Sequence, residues 1–291
     1  MYLFFIVFYK DSRSYKMAVT VNDLMGALDQ LAPFAIAEPW DNVGLLIGNK
    51  RREIQSILIG LDPTVSLLEE VIKSGADTLI THHPAIFKPL PAIDTAEPSG
   101  QFLETALSNK INVIACHTNF DAVNPGVNDV LANSLGLENL RPLIPSTALP
   151  AEGAGLGRIG LYQGGLSREE FVDRLLRTTD LQSLQVAGTM PETISCVALC
   201  GGSGSEFAHV ARDCGADVYI SAEIKHNVAR WAEDAGFCVI EGTHYGTEKP
   251  AVKLLVERLG DYAHEKGWDI TISETETEGH PFQTVDRTTF R

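Results

Sequence analysis

Apolar residues along this chain follow two rhythms that take turns. In TVNDLMGALDQLAP, Val21, Leu24, Leu28 and Leu31 recur at helical spacing, with Thr20 placed to cap the start and Pro33 to close the end. The run IQSILIGL, residues 54–61, is continuously apolar enough for a buried strand. TVSLLEEVIKSG then predicts a helix capped by Thr64 and ended by Gly75. ADTLI predicts the next strand, GQFLETALSNK a helix, INVIACH a strand and GVNDVLANSLG another helix. Strands alternating with helices predict an α/β fold built on a largely parallel sheet. Residues 140–165, rich in Gly, Pro and Ala, read as a connection ending in a short strand. SREEFVDRLLRTT restarts the helical rhythm with a capping box from Ser167 to Glu170.

The chain then repeats itself. ILIGLDPTVSLLEEVIKSGADTLITHH aligns with VALCGGSGSEFAHVARDCGADVYISAE, so that Gly75-Ala76-Asp77 falls on Gly215-Ala216-Asp217. VIACHTNFD resembles VIEGTHYGTE once the histidines are superposed, and each sets a carboxylate four residues after its histidine, His117 to Asp121 and His244 to Glu248. A matching strand–helix–strand frame around these short identities predicts two related α/β lobes that face each other. The first lobe is expected over residues 19–139, a connection over 140–165 and the second lobe over 166–291. Residues 1–18 read as an extension outside the fold, since MAVTVNDLMGAL at Met17 looks like a natural start.

Composition narrows the class. The 291 residues are 44% hydrophobic, enough for one large core or two smaller ones. Acidic residues outnumber basic ones 38 to 23, for a formal charge of -15, which disfavours long nucleic acid as a ligand but says nothing against a single nucleotide. The five cysteines are loosely spaced in or beside apolar runs, which points to a reducing, cytoplasmic setting without a disulfide framework. Cys196 and Cys200 would make a ligand pair only if their stretch were not a strand. The apolar start MYLFFIVFYK is too short to span a membrane, and no other stretch approaches a transmembrane helix.

Ligands of open α/β sheets sit beyond the C-terminal ends of the strands. Four polar clusters fall at such ends: His82 with His83, His117 with Asp121, Glu223 with His226, and His244 with Glu248. Imidazole and carboxylate together suit Zn, Fe, Mn, Co or Ni. Side chains of adjacent residues in a strand point to opposite faces, so His82 and His83 share a site only where the strand stops. Two metal ions would give each histidine one ion, with Asp121 and Glu248 supplying oxygens. His117 reads first as a group orienting a ligand, and otherwise as a ligand itself or as a strand-end cap. Glu223 and His226 open a helix, as base or substrate contacts or as a solvated start. GGSGSEF, residues 201–207, has the makings of an anion cradle or of a tight turn. Asp41 and Asn42 in PWDNVGLLIG suit a turn. No serine or cysteine nucleophile stands out.

Taken in order, PWDNVGLLIG, GADTLITHHPAIF, HTNFDAVNPGVND, GGSGSE, GADVYISAEIKH and GTHYGTE resemble the NIF3-like, or DUF34, family, often labelled GTP cyclohydrolase 1 type 2 homologs. The resemblance implies two similar α/β lobes enclosing a dinuclear metal site, with His82, His83, Asp121, His244 and Glu248 as ligands of two divalent ions per subunit. It implies dimers assembled into a ring-shaped homohexamer, and no membrane partner. Ala222-Glu223 stands where many members resemble Gly-Asp or Gly-Glu, and Asn227 where some carry a second histidine, which bears on a catalytic role for this helix start and not on the ligands. The function so implied is a metal-dependent hydrolase of a small, nucleotide-like or phosphorylated substrate, with Glu223 or His117 moving a proton. The alternative is a non-enzymatic metal-handling or regulatory protein.

Overall fold

The structure is a computed structural model that describes residues 18–147, 153–283 and 285. The extension expected over residues 1–18 lies, apart from Ala18, outside them.

Side chains alternate across each strand, and that alternation divides the core into layers. The first sheet runs, edge to edge, through Thr271–Glu274, Ser56–Gly60, Thr78–Thr81, Asn112–Ala115 and Gly44–Ile47. All neighbours are parallel except Gly44–Ile47, which is antiparallel to Asn112–Ala115. Ile57, Ile59, Ile80 and Ile114 face one way, onto helices Val21–Leu31 and Pro250–Glu265. Leu58, Leu79 and Val113 face the other way, onto helices Val65–Ser74 and Pro98–Ser108. The second sheet runs through Glu138–Pro145, Gly155–Ser167, Thr193–Ser203, Val218–Ala222, Cys238–Glu241 and Gln185–Ala187. Val197, Leu199, Val218 and Ile220 lie on the side of helices Val127–Ser134 and Arg168–Thr179. Ala198, Tyr219 and Val239 lie on the side of Ala208–Asp213 and His226–Ala235.

The repeat has a physical purpose. Gly75 and Gly215 both sit at positive φ, 75° and 84°, and carry the chain from helix to strand. The aspartates two residues on then tie neighbouring strands: Asp77 accepts from the N–H of Gln55 and Ser56, and Asp217 from those of Ser195 and Cys196. Thr20 and Thr64 cap their helices, the first with a full capping box through Asp23. Ser167 accepts from the N–H of Glu170, but the Glu170 carboxylate turns to Arg174 at 3.0 Å, so the box expected there is half made.

Two segments differ from the sequence-based expectation. Residues 140–165 are mostly sheet, because Glu138–Pro145 and the thirteen-residue strand Gly155–Ser167 form a hairpin. Their glycines mark close backbone approach: a Cβ on Gly155 would lie 2.2 Å from the carbonyl oxygen of Ile144, and one on Gly157 2.6 Å from that of Leu199. Pro250–Glu265 and Thr271–Glu274, expected in the second lobe, pack on and extend the first sheet. Leu255 and Leu259 share the core of Leu24 and Leu28, and the strand pairs in parallel with Ser56–Gly60. Cys196 and Cys200 lie on the strand Thr193–Ser203, and all five cysteines are free thiols. Among the described residues, no helix is long and apolar enough to cross a membrane.

Arg158 fastens the second sheet to a helix that packs on it. It is buried in the second sheet and makes a bidentate pair with Asp129 of the helix Val127–Ser134, 2.7 Å at each contact. Its remaining donors reach the carbonyls of Gly155, Gly157 and Val123. Arg158→Ala is expected to lower the unfolding free energy in urea by about 3–5 kcal/mol, since it strands a buried carboxylate. The double change Asp129→Leu with Arg158→Met should recover most of that loss.

Candidate metal centre

The strand Thr78–Thr81 ends one residue before the histidines, which lets both rings swing to the same side. Backbone pairing still holds them, since the N–H of His82 donates to Gly60 and that of His83 to Leu61. The two ring centroids are 5.0 Å apart. Each ring is fixed from behind at Nδ1, His82 by the carbonyl of Cys116 at 2.8 Å and His83 by the carboxylate of Asp62 at 2.7 Å. That leaves Nε2 of each facing inward. His244 opens the short helix His244–Glu248, so Glu248 stands one turn on, on the same face, with Oε2 3.2 Å from His244 Nε2. His117 caps the matching helix Thr118–Ala122, which carries Asp121.

These elements bring Nε2 of His82 to 3.6 Å from Asp121 and 3.7 Å from Glu248 Oε1, and Nε2 of His83 to 3.0 Å from Glu248 Oε2. None of these approaches is aligned as a hydrogen bond. Nε2 of His82 and of His83, Oδ1 of Asp121 and Oε2 of Glu248 are all buried without a hydrogen-bond partner. Leaving one such atom unsatisfied costs about 1–3 kcal/mol, so four around one point is an arrangement that requires a further occupant. A divalent cation fits: the donors are imidazole nitrogen and carboxylate oxygen, and three sets each lie within 4.8 Å of one another. These are His82, Asp121 and Glu248; His83, His244 and Glu248; and His82, His83 and His117.

The electrostatics fit the same occupant. Burial works against charge on Glu248, yet His82, His244 and His83 hold its carboxyl well below the usual range. Asp121 is pushed up to about 7, by burial first and by the neighbouring Glu248 charge as well. His83 is raised to about 10 against burial, by Asp62 and Glu248, and His244 to about 9, chiefly by Glu248. Without a cation, protons hold these carboxylates together.

Other candidates fall around this core. Glu223 holds Nδ1 of His244 at 3.1 Å from behind, from a backbone at φ 55° that a non-glycine residue rarely adopts. His226 is exposed on its helix and outside the cluster. His117 lines a cavity of about 560 Å³ beside the cluster, together with Trp40, Phe87, Asp121, His244 and Glu248. The glycine loop turns its three glycine N–H groups inward rather than to an anion. Gly201, Gly202 and Gly204 donate to Asn128, Thr247 and Ser221. Its glycines make room instead: a Cβ on Gly202 would lie 2.1 Å from Glu248 Oε1.

Two supporting carboxylates escaped the sequence reading. Asp62 carries His83, and Asp41 accepts from Thr118 while holding His117 Nδ1 at 2.8 Å. That pairing, with help from Thr118, keeps Asp41 at about 2 despite burial. Asp41 does serve its own turn as well, accepting from the N–H of Asn42. Neither partnership has a fixed spacing in sequence, and only the alignment of strand ends could have hinted at them.

A family model for Duf34/NIF3 (NGG1p interacting factor 3) matches residues 19–281. The chain belongs to the Duf34/NIF3 family. A Clostridium acetobutylicum relative named GTP cyclohydrolase 1 type 2 homolog is 30% identical over 267 residues, covering 92% of this chain and 99% of that one. The crystal structure of a Staphylococcus aureus hypothetical protein superposes with a TM-score of 0.84 at 29% identity, over 92% of this chain and all of that one. A Bacillus cereus protein related to NIF3 gives 0.87 over the same shares, and at 23% identity it speaks for the fold alone.

Two expectations follow for this NIF3-family cluster. In the cation-free protein His83 and His244 carry protons at neutral pH, so a metal must displace them. Zinc affinity should rise from pH 6 to about pH 10 and then level. Calorimetry in buffers of different ionisation enthalpy should show proton release at pH 7 that dwindles towards pH 10; a flat profile would contradict these shifts. Gly202→Ala should weaken metal binding at least about tenfold with the circular dichroism spectrum unchanged, because at φ 66° its Cβ presses on Glu248 and stands 3.2 Å from His244 Nε2.

Proposed function

We propose that this chain holds two divalent cations per subunit and uses them to hydrolyse a small substrate in the adjoining cavity. The observation that carries the reading is the placement of Glu248. Its Oε1 faces His82, and its Oε2 faces His83 and His244, so one buried carboxylate addresses two separate ligand sets. His82 and Asp121 complete one set, His83 and His244 the other. When bound, such a pair of ions supplies Lewis acidity to water and to a substrate oxygen.

The chain's own residues do the rest. Asp62 and the Cys116 carbonyl fix the tautomers of His83 and His82, and Glu223 does so for His244. With Nδ1 committed to Asp41, His117 has only Nε2 free to take or return a proton at the cavity wall, or to join the ligands of His82 and His83. Phe87 and Trp40 line one side of the cavity. The name of the Clostridium acetobutylicum relative supports a cyclohydrolase in particular. A ring of six subunits in a reducing cytoplasm, implied by the family resemblance and by the free thiols, belongs to the same reading.

The test is elemental analysis of untagged protein purified without added metal, beside His83→Ala and Glu248→Ala. Wild-type protein should carry about two transition ions per subunit, and both variants should lose them. Turnover of small cyclic amides and esters should vanish in the same variants. Metal passed to an acceptor chelate, with no turnover of any substrate, would favour the metal-handling alternative. Protein that takes up no Zn, Mn or Fe would overturn both.

A further inference from the structure

The two ligand sets that share Glu248 are steadied by different stretches of the chain. In the first set, His82 is fixed at Nδ1 by the carbonyl of Cys116, which follows the strand Asn112–Ala115. Asp121 is carried by the helix Thr118–Ala122, and the side-chain amide of Asn128 donates to its carbonyl at 3.1 Å. In the second set, His83 depends on Asp62, whose side chain is 40% exposed. Water competes for a carboxylate so placed, so its grip on His83 Nδ1 is only as firm as the backbone beneath it.

That backbone is held by the end of the chain. Beyond the strand Thr271–Glu274, Thr275 is buried and donates its N–H to the carbonyl of Ile59 at 2.9 Å. Glu70 accepts from the hydroxyls of Thr275 and Thr277 and from the N–H of Glu276. Glu278 is thereby delivered to the residues that follow Ser56–Gly60, where its carboxylate accepts from the N–H of Leu61 at 2.9 Å and of Asp62 at 2.8 Å. An ionised acceptor makes such bonds stronger than neutral ones. Both residues bear on His83: the carbonyl of Leu61 accepts from the His83 N–H at 2.9 Å, and the carboxylate of Asp62 meets the ring at 2.7 Å. The carbonyl of Glu278 also accepts from the hydroxyl of Tyr245 at 3.2 Å, next to His244 in sequence. The tail thus touches the neighbours of both histidines of the second set. It reaches His82 at the backbone, through Gly60, whose carbonyl accepts from the His82 N–H at 3.2 Å. Among the described residues it makes no hydrogen bond to the His82 ring or the Asp121 carboxylate.

We infer that Glu278 is a positioning residue for the ion of His83 and His244. It fixes the backbone of Leu61 and Asp62, Asp62 fixes Nδ1 of His83, and the tail thereby sets the affinity of one ion of the pair and not of the other. This inference rests on the reading of two cations per subunit, one for each ligand set.

The test is a titration of the zinc-loaded full chain with a chromogenic chelator, counting the ions released per subunit. Glu278→Ala should give up one ion at least about tenfold more readily and keep the other at its wild-type affinity, in line with the loss of a group behind a metal-bound histidine. Glu278→Gln retains an oxygen acceptor and should stay close to wild type. Glu278→Ala added to Asp62→Ala should change little, because Glu278 acts through Asp62. Asp121→Asn should loosen the other ion, so that Asp121→Asn combined with Glu278→Ala loosens two. Tyr245→Phe, which removes only the hydroxyl, should loosen the same ion as Glu278→Ala in lesser degree, and it carries the test if Glu278→Ala does not fold. A tail that merely stabilised the fold would loosen both ions together and lower the unfolding midpoint of the metal-free protein in step. That result would overturn the inference, as would two ions that leave as in wild type from both Glu278→Ala and Tyr245→Phe, or a combined variant that loosens a single ion. Wild-type protein that takes up fewer than two ions fails the dinuclear reading itself. Two ions indifferent to the tail fail this inference and leave that reading standing.

Discussion

A carboxylate that is 2% exposed cannot stand alone, and much of this molecule is arranged around that fact at Glu248. Three imidazoles converge on it, from a strand end in the first lobe and from the turn of helix that carries Glu248 itself. Gly202 has no side chain so that the carboxylate fits, and Gly202 is held by Thr247, next to Glu248 in sequence. Asn128 ties the Gly201 N–H to the carbonyl of Asp121, so the helix carrying the second carboxylate is registered to the same loop. Thr243 accepts the strain of φ 60° to start the helix where His244 must stand. Arg158 and Asp129 thus secure the second lobe through a neutralised pair, and Glu248 joins the two lobes through groups whose charges need a cation.

Much of this was legible in the residues. Alternating rhythms gave the parallel strands and the helices between them, because burial on both faces of a sheet leaves a plain hydrophobic signature. The repeat around Gly75-Ala76-Asp77 and Gly215-Ala216-Asp217 was visible because the same turn and the same strand tie are built twice. His82 and His83 were informative as neighbours: they converge only if the strand stops, and it stops at Thr81.

What escaped notice depends on contacts distant in sequence. Nothing near Asp62 says that a histidine twenty-one positions later will turn its Nδ1 to it. Asp41 looked like a turn residue and is also the anchor of His117, seventy-six positions away. The glycines of residues 140–165 read as loop because glycine frees the backbone, yet here they let strands touch. The last strand could not be assigned to the first sheet from continuity, since only its pairing with Ser56–Gly60 sends it there.

That return of the chain reaches further than the sheet. Beyond Thr271–Glu274, the carboxylate of Glu278 accepts the N–H groups of Leu61 and Asp62, and the carbonyl of Glu278 accepts from the hydroxyl of Tyr245. Glu70 fastens the same tail through Thr275 and the N–H of Glu276. The segment that carries Asp62, and through it His83, is therefore finished by residues made more than two hundred positions later. On a ribosome, His82, His83 and Asp121 emerge long before the sheet edge and the tail that steady them. The order of synthesis thus makes this centre a late event: its ligands are laid down early, and its frame closes only when almost the whole chain has been released.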